Sequence, residues 1–246
     1  MRPALVAWAA VAVLAFAGFI ALGTWQVERR AWKLDLIARV EARVHAAPSP
    51  APGPDQWAAV TPAADEYRHV ALTGTFLHDR ETFVQAVTTR GSGFWVLTPL
   101  RQADGSTVLV NRGFVPPEVR ERAARSATET AGTTTVTGLL RLTEPGGGFL
   151  RKNDPAADRW FSRDVAAIAD ARGLRPVAPY FVDGDATPAD AWPVGGLTIV
   201  AFHNSHLVYA ITWYTLAAMV VGAAWQVRRE SRRRRNAENR SDAQPE

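Results

Sequence analysis

Two stretches of this chain carry no full charge, Leu5 to Gly23 and His206 to Trp225. About 20 apolar residues in helix match a hydrocarbon core of about 30 Å. The pattern therefore predicts transmembrane helices over residues 5–23 and 204–225, the second entered through Asn204 at its N-cap. A cleaved signal peptide would have a shorter apolar region, about 7–15 residues, so the first run is expected to be retained. Behind it Trp32, Leu36, Val40 and Val44 recur every four residues or so, while Glu28, Arg29, Lys33, Asp35, Arg39 and Arg43 take the other faces. That spacing predicts an amphipathic helical extension over 24–45. Pro48, Pro50, Pro52, Pro54 and Pro62 then make 46–64 an extended, Pro-rich linker.

From Tyr67 the period changes to two. Tyr67 to Phe76, Glu81 to Thr88, Gly93 to Leu100, Thr107 to Phe114 and Thr133 to Leu142 read as strands, with two shorter extended pieces at Pro179 to Asp183 and Leu197 to Phe202. Asp104-Gly105 supplies a hairpin turn, Gly146 to Gly148 a flexible corner, and Trp160 to Ala171 a helix. The expected fold is a membrane-anchored α+β protein. Two transmembrane helices flank an antiparallel β-rich extracytoplasmic domain, a curled sheet or small barrel, over 65–203. Small residues, Ala10, Ala17, Gly18 and Ala21 on one span and Ala210, Ala217, Ala218 and Gly222 on the other, would let the spans pack closely.

Charge sets the expected orientation. Seven arginines between Arg228 and Arg240 follow the second span, against Arg29, Arg30 and Lys33 after the first. The positive-inside rule then places residues 1–4 and the basic tail 226–246 in the cytoplasm. The span begins almost at Met1, without the Arg- and Ser-rich leader of a mitochondrial presequence, so a bacterial plasma membrane is expected. The tail from Arg228 contributes +3 of the net +4, leaving the rest nearly neutral. The basic balance thus reads as a topology signal and a contact for anionic lipid, with no nucleic-acid partner. Cysteine is absent, which excludes disulfides, thiolate metal ligation and covalent c-type haem attachment.

No nucleophile elbow, H-E-x-x-H, phosphate loop or dinucleotide fingerprint is present, and no enzyme is expected. His69 on a strand reads as a sheet-surface or satisfied residue, and His78-Asp79 lacks the frame of a triad. Candidate chemistry gathers at the mouth of the second span. On a 3.6-residue period His206, Tyr209, Ala210, Trp213 and Ala217 share one face. Two readings stand: an interfacial aromatic belt, and a site in which an imidazole overlies aromatics that could pack on a flat apolar ligand. Trp25, Trp213 and Trp225 read as interfacial anchors, with lining of a site the alternative for Trp213.

Several blocks resemble one family. Leu22-Gly23-Thr24-Trp25-Gln26 with Arg29 and Lys33, Tyr67-Arg68 to Phe76-Leu77-His78-Asp79, Gly93-Phe94-Trp95-Val96-Leu97-Thr98-Pro99-Leu100, and Val108-Leu109-Val110-Asn111-Arg112-Gly113-Phe114-Val115-Pro116 occur in order. Asn153-Asp154-Pro155 with Trp160-Phe161 and Asp164 precede the Asn204 to Trp213 mouth. Together they are similar to the Surfeit locus protein one family, assembly factors for cytochrome c oxidase, although Phe114 stands where that family more often has Trp. The resemblance implies a membrane-bound factor that binds haem a transiently and assists its insertion into the oxidase catalytic subunit, with that subunit, the haem a synthase and membrane lipid as partners. Carried over, His206 matches the proposed haem-iron ligand, and His203 has no clear counterpart; Tyr209 and Trp213 can pack on the porphyrin of a haem a held there. Asn111, Arg112 and Arg68 are expected to be structural hydrogen-bond donors. The alternative is a haem-free membrane scaffold that stabilises assembly intermediates.

Overall fold

The computed structural model describes residues 3–188, 191–198, 200, 202 and 204–241. They divide into two compact units: the terminal helical segments up to Ala38 and from Ala201, and a β unit over Arg39–Val200. Helix α1 spans Pro3–Val44 and the last helix, α4, spans His206–Ser241. Both are long and apolar enough to cross a membrane, which supports anchoring of the chain.

The β unit is a closed ring. In chain order its strands are β1 (Ser49–Pro50), β2 (His69–Phe76), β3 (Thr82–Thr88), β4 (Gly91–Arg101), β5 (Thr107–Val115), β6 (Thr133–Leu142), a minor hairpin β7 (Gly147–Gly148) and β8 (Arg151–Lys152), and β9 (Val177–Gly184). The principal sheet runs β1-β2-β6-β9-β5-β4-β3, and a further antiparallel pairing of β2 with β4 joins the five central strands into a barrel. Four seams of the ring are antiparallel, and the β5–β9 seam is parallel.

Alternation along the strands produces two cores. Val70, Leu72, Leu100, Val108, Val110, Leu140, Ala178, Tyr180 and Val182 come from all five ring strands and fill its interior. Their neighbours Leu97, Leu109 and Phe181 face the other way and meet Val84, Trp160 and helix α3 (Val165–Arg172) through Ile168 and Ala169. Strand β5 is covered on both faces, so its residues are buried in succession and not alternately. Asp104-Gly105 turns the β4–β5 hairpin with Gly105 at φ 83° and the Asp104 carboxylate accepting from the Ser106 amide.

Three expectations are corrected. The helix near Trp160 starts only at Val165, because Asp164 caps it by accepting from the Ala167 amide at 3.1 Å, while Trp160 is buried and bridges in parallel to Val84. The described residues between Leu197 and Phe202 form no strand, and Thr198 there donates its hydroxyl to Asp183. The Pro-rich stretch is packed on the barrel: β1 pairs in parallel with β2, and a short helix α2 (Pro62–Asp65) follows. Its anchors are Trp57 and Val60 against the interior core, with the Tyr180 hydroxyl and the Trp57 indole N–H both donating to the Pro52 carbonyl. A proline-rich strand can sit there because an edge position asks for few amide donors.

Candidate functional site

Helix α4 begins at His206, whose amide donates to the Asn204 side chain at a long 3.4 Å. The His206 imidazole turns to α1. Its Nδ1 lies 2.7 Å from Gln26 Oε1. A carbonyl oxygen only accepts, so Nδ1 carries a proton. Among the described residues Nε2 has no hydrogen-bond partner. This arrangement orients the ring through one nitrogen and leaves the other to coordinate.

The same two helix segments meet at three further places. Trp213 stacks on Phe19 with ring centroids 5.7 Å apart and planes 26° apart. The Tyr214 hydroxyl shares a hydrogen bond with Thr24 Oγ1 at 3.2 Å. Gly23 lies under the Tyr214 ring so closely that a Cβ there would come within 2.7 Å of it. Ala210 and Ala217 are buried on the α4 face that carries His206 and Trp213, whereas Tyr209, about 60° around the helix from His206, is half exposed. Trp25 and Trp225 are exposed. Of the small-residue stripe on the first span, Ala10, Ala17, Gly18 and Ala21 are exposed, and the close approach is made by Gly23. His203 lies outside the described residues.

In the β unit every sequence-marked polar residue is engaged. His69 Nε2 faces Asp185 Oδ2 at 2.9 Å and Nδ1 faces the Ala46 carbonyl at 2.8 Å. Both partners accept, so only the imidazolium satisfies both. Burial lowers its pKa, but these contacts outweigh that and raise it above the ordinary value. Asn111 donates to Asp183 at 2.7 Å, and Arg68 to Asp65 at 2.7 Å. Arg112 reaches Glu81 and the Thr128 carbonyl. Glu81 also binds the wholly buried Arg125 at 2.5 Å and accepts from Thr98. Burial pushes the Glu81 carboxyl up, and Arg125 and Arg112 more than offset this and hold it below its usual range. These residues bind each other, and among the described residues no cluster of three or more His, Cys, Asp or Glu could hold a metal ion.

Comparison with known proteins takes in both units. The profile of the SURF1 family matches residues 13–218. Surfeit locus protein 1 of Homo sapiens is 37% identical over 215 residues, covering 80% of this chain and 69% of that protein. The Mus musculus protein of the same name is 37% identical over 214 residues, with 80% and 68% covered. The SURF1-like protein of Monosiga brevicollis is 38% identical over 222 residues, with 83% and 80% covered. The chain belongs to the SURF1 family.

In this SURF1-family chain the Leu22-Gly23-Thr24-Trp25-Gln26 block acquires a physical meaning. Gly23, Thr24 and Gln26 each touch α4, while Leu22 and Trp25 face outward. Sequence reasoning named His206, Tyr209 and Trp213 but missed their counterparts Gln26, Phe19 and Tyr214. A glutamine just past an apolar run was the available signal, since an amide there needs a partner. Glu81 and Arg125 were also missed, and nothing in their spacing marks them.

Proposed function

We propose that this chain is a membrane-anchored assembly factor for haem a-containing cytochrome c oxidase, which holds haem a transiently and assists its insertion into the catalytic subunit. Membership of the SURF1 family supports this reading, and the observation that carries it is the 2.7 Å hydrogen bond from His206 Nδ1 to Gln26. It leaves Nε2 with no hydrogen-bond partner among the described residues, and a neutral imidazole ligates iron through such a nitrogen. Haem a is the cargo. His206 would hold its iron, with the Tyr209 and Trp213 rings available against an apolar macrocycle. A single axial imidazole, without thioether attachment in a chain free of cysteine, suits a cargo that must be released. No enzymatic step is assigned to the chain.

The setting follows from the same residues. The chain sits in a bacterial plasma membrane with both termini cytoplasmic and the β unit outside, as the arginines after α4 favour. Its partners are the oxidase catalytic subunit, the haem a synthase and lipid. Co-expressed with the enzymes of haem a synthesis, the purified protein should carry a low-spin haem absorption spectrum. His206→Ala should abolish that spectrum, and Gln26→Leu should weaken it by freeing the ring to rotate. A colourless wild-type preparation would overturn haem holding and leave the haem-free scaffold.

A further inference from the structure

The β7–β8 hairpin has at its tip Phe149 and Leu150, which are 92% and 89% exposed. Leu150 also holds a left-handed φ of 59°, a conformation that costs a branched residue free energy. Beside this tip stands the β3–β4 turn, where Val87 is 85% exposed. The two tips share one groove lined by Ala86, Val87, Phe94, Gly148, Phe149 and Phe161. Arg151 ties them together, donating to Gln85 of β3 at 3.1 Å.

The charge close to the two tips is mostly basic. Arg90, Arg151 and Lys152 flank the apolar residues, and among the described residues neither Arg90 nor Lys152 has an ion-pair partner. Of the carboxylates on neighbouring segments, Glu144 is paired with Arg163, Asp154 with Arg159 and Asp158 with Arg172, while the exposed Glu118 follows Pro117 of the groove. Asp164 caps α3 and accepts from the Gly146 amide.

The geometry points to a membrane-docking finger: Phe149, Leu150 and Val87 insert into the interfacial region of a lipid bilayer while Arg90 and Lys152 meet anionic headgroups. A small convex apolar tip ringed by cations is the arrangement that enters an interface, and three apolar side chains are too few for a standard protein interface of about 800 Å² per partner. The β unit is joined in sequence at both ends to helices long enough to span a bilayer, so lipid is its neighbour at high effective concentration. The inference rests on the reading of α1 and α4 as membrane anchors, and it assigns the β unit a lipid contact of its own.

The chain has no cysteine, so single-cysteine variants Leu150→Cys, Ala103→Cys and Val221→Cys can each carry an environment-sensitive fluorophore. The full chain is reconstituted into phosphatidylcholine–phosphatidylglycerol vesicles that contain a lipid-borne nitroxide quencher. Ala103 lies in the β4–β5 turn, at the opposite end of β4 from the tips, and Val221 reports on α4. The label at position 150 should be quenched severalfold more than the label at 103. That difference should shrink with Arg90→Gln and Lys152→Gln together, and in vesicles of phosphatidylcholine alone. Equal quenching at 150 and 103 with strong quenching at 221 would overturn the finger and leave the anchors standing. A label at 221 that escapes quenching would overturn both. Shielding of position 150 in native membranes but not in vesicles would mean a protein partner, and would also overturn it.

Discussion

Arg125 has no side-chain exposure, and its positive charge is balanced within the β unit by Glu81, which is itself 5% exposed. Removing one member of a buried pair costs far more than the pair contributes, because the survivor stays desolvated and unpaired. Glu81→Gln should therefore destabilise the β unit by about 3–5 kcal/mol, read as a fall in denaturant midpoint at unchanged slope. The carboxyl is held below its ordinary value near 4.5. Its stabilisation is therefore complete above that pH and lost as pH falls through the lower folded value. His69 runs the other way: raised above its ordinary 6.5, it stabilises fully below that pH and loses its contribution as pH climbs through the higher folded value. Stability measured against pH should thus fall on the alkaline side of 6.5, and His69→Gln should flatten that limb alone. The buried pair was not legible in the chain. Glu81 and Arg125 stand 44 residues apart, on a strand edge and a surface-looking turn, and their burial is a property of the closed barrel.

Single elements were more legible than the contacts between them. β2 and β6 were readable from alternation alone, because one set of faces fills the barrel and the other does not. The start of α3 was not, since Trp160 looks like one more apolar helical residue until its pairing with β3 is known. On the first span, the residues read as the contact stripe were displaced around the helix from the true one. Gly18 has no atom within 4 Å of its would-be Cβ, whereas Gly23 has the Tyr214 ring at 2.7 Å. Close approach of a glycine to a partner helix is how membrane helices gain packing without apolar solvent to expel. Gly23→Ala should therefore loosen the α1–α4 pairing while Gly18→Ala leaves it intact, measured as the yield of a short thiol cross-linker between cysteines replacing Phe19 and Trp213. Adding Tyr214→Ala to Gly23→Ala should restore the yield, since it removes the ring with which the new methyl collides.

At the scale of the whole β unit, the choice between curled sheet and barrel was open in the sequence and is decided by one short seam. Strands β2 and β4 pair only at Thr75 with Arg101 and Phe76 with Leu100, a contact between strands that β3 separates along the chain. Patterning cannot announce such a seam, because both strands alternate identically whether or not their ends meet. Gly74 permits it. A Cβ at that position would lie 2.4 Å from the Arg101 carbonyl oxygen, a rigid backbone atom that can yield only by moving the strand. Gly74 also pairs with Thr134 of β6, so the residue sits where the ring is drawn tightest. Gly74→Ala should push β4 away and open this seam while the β2–β6 ladder persists. The cost should be about 1–3 kcal/mol, as for other overpacked sites. Amide exchange would locate it: the Leu77 amide, which donates to the Pro99 carbonyl beside the seam, should lose protection well before the amides of β5 and β9. Uniform loss of protection across all strands would instead mean that closure and core form one cooperative unit, and that the barrel has no weaker edge at which to open.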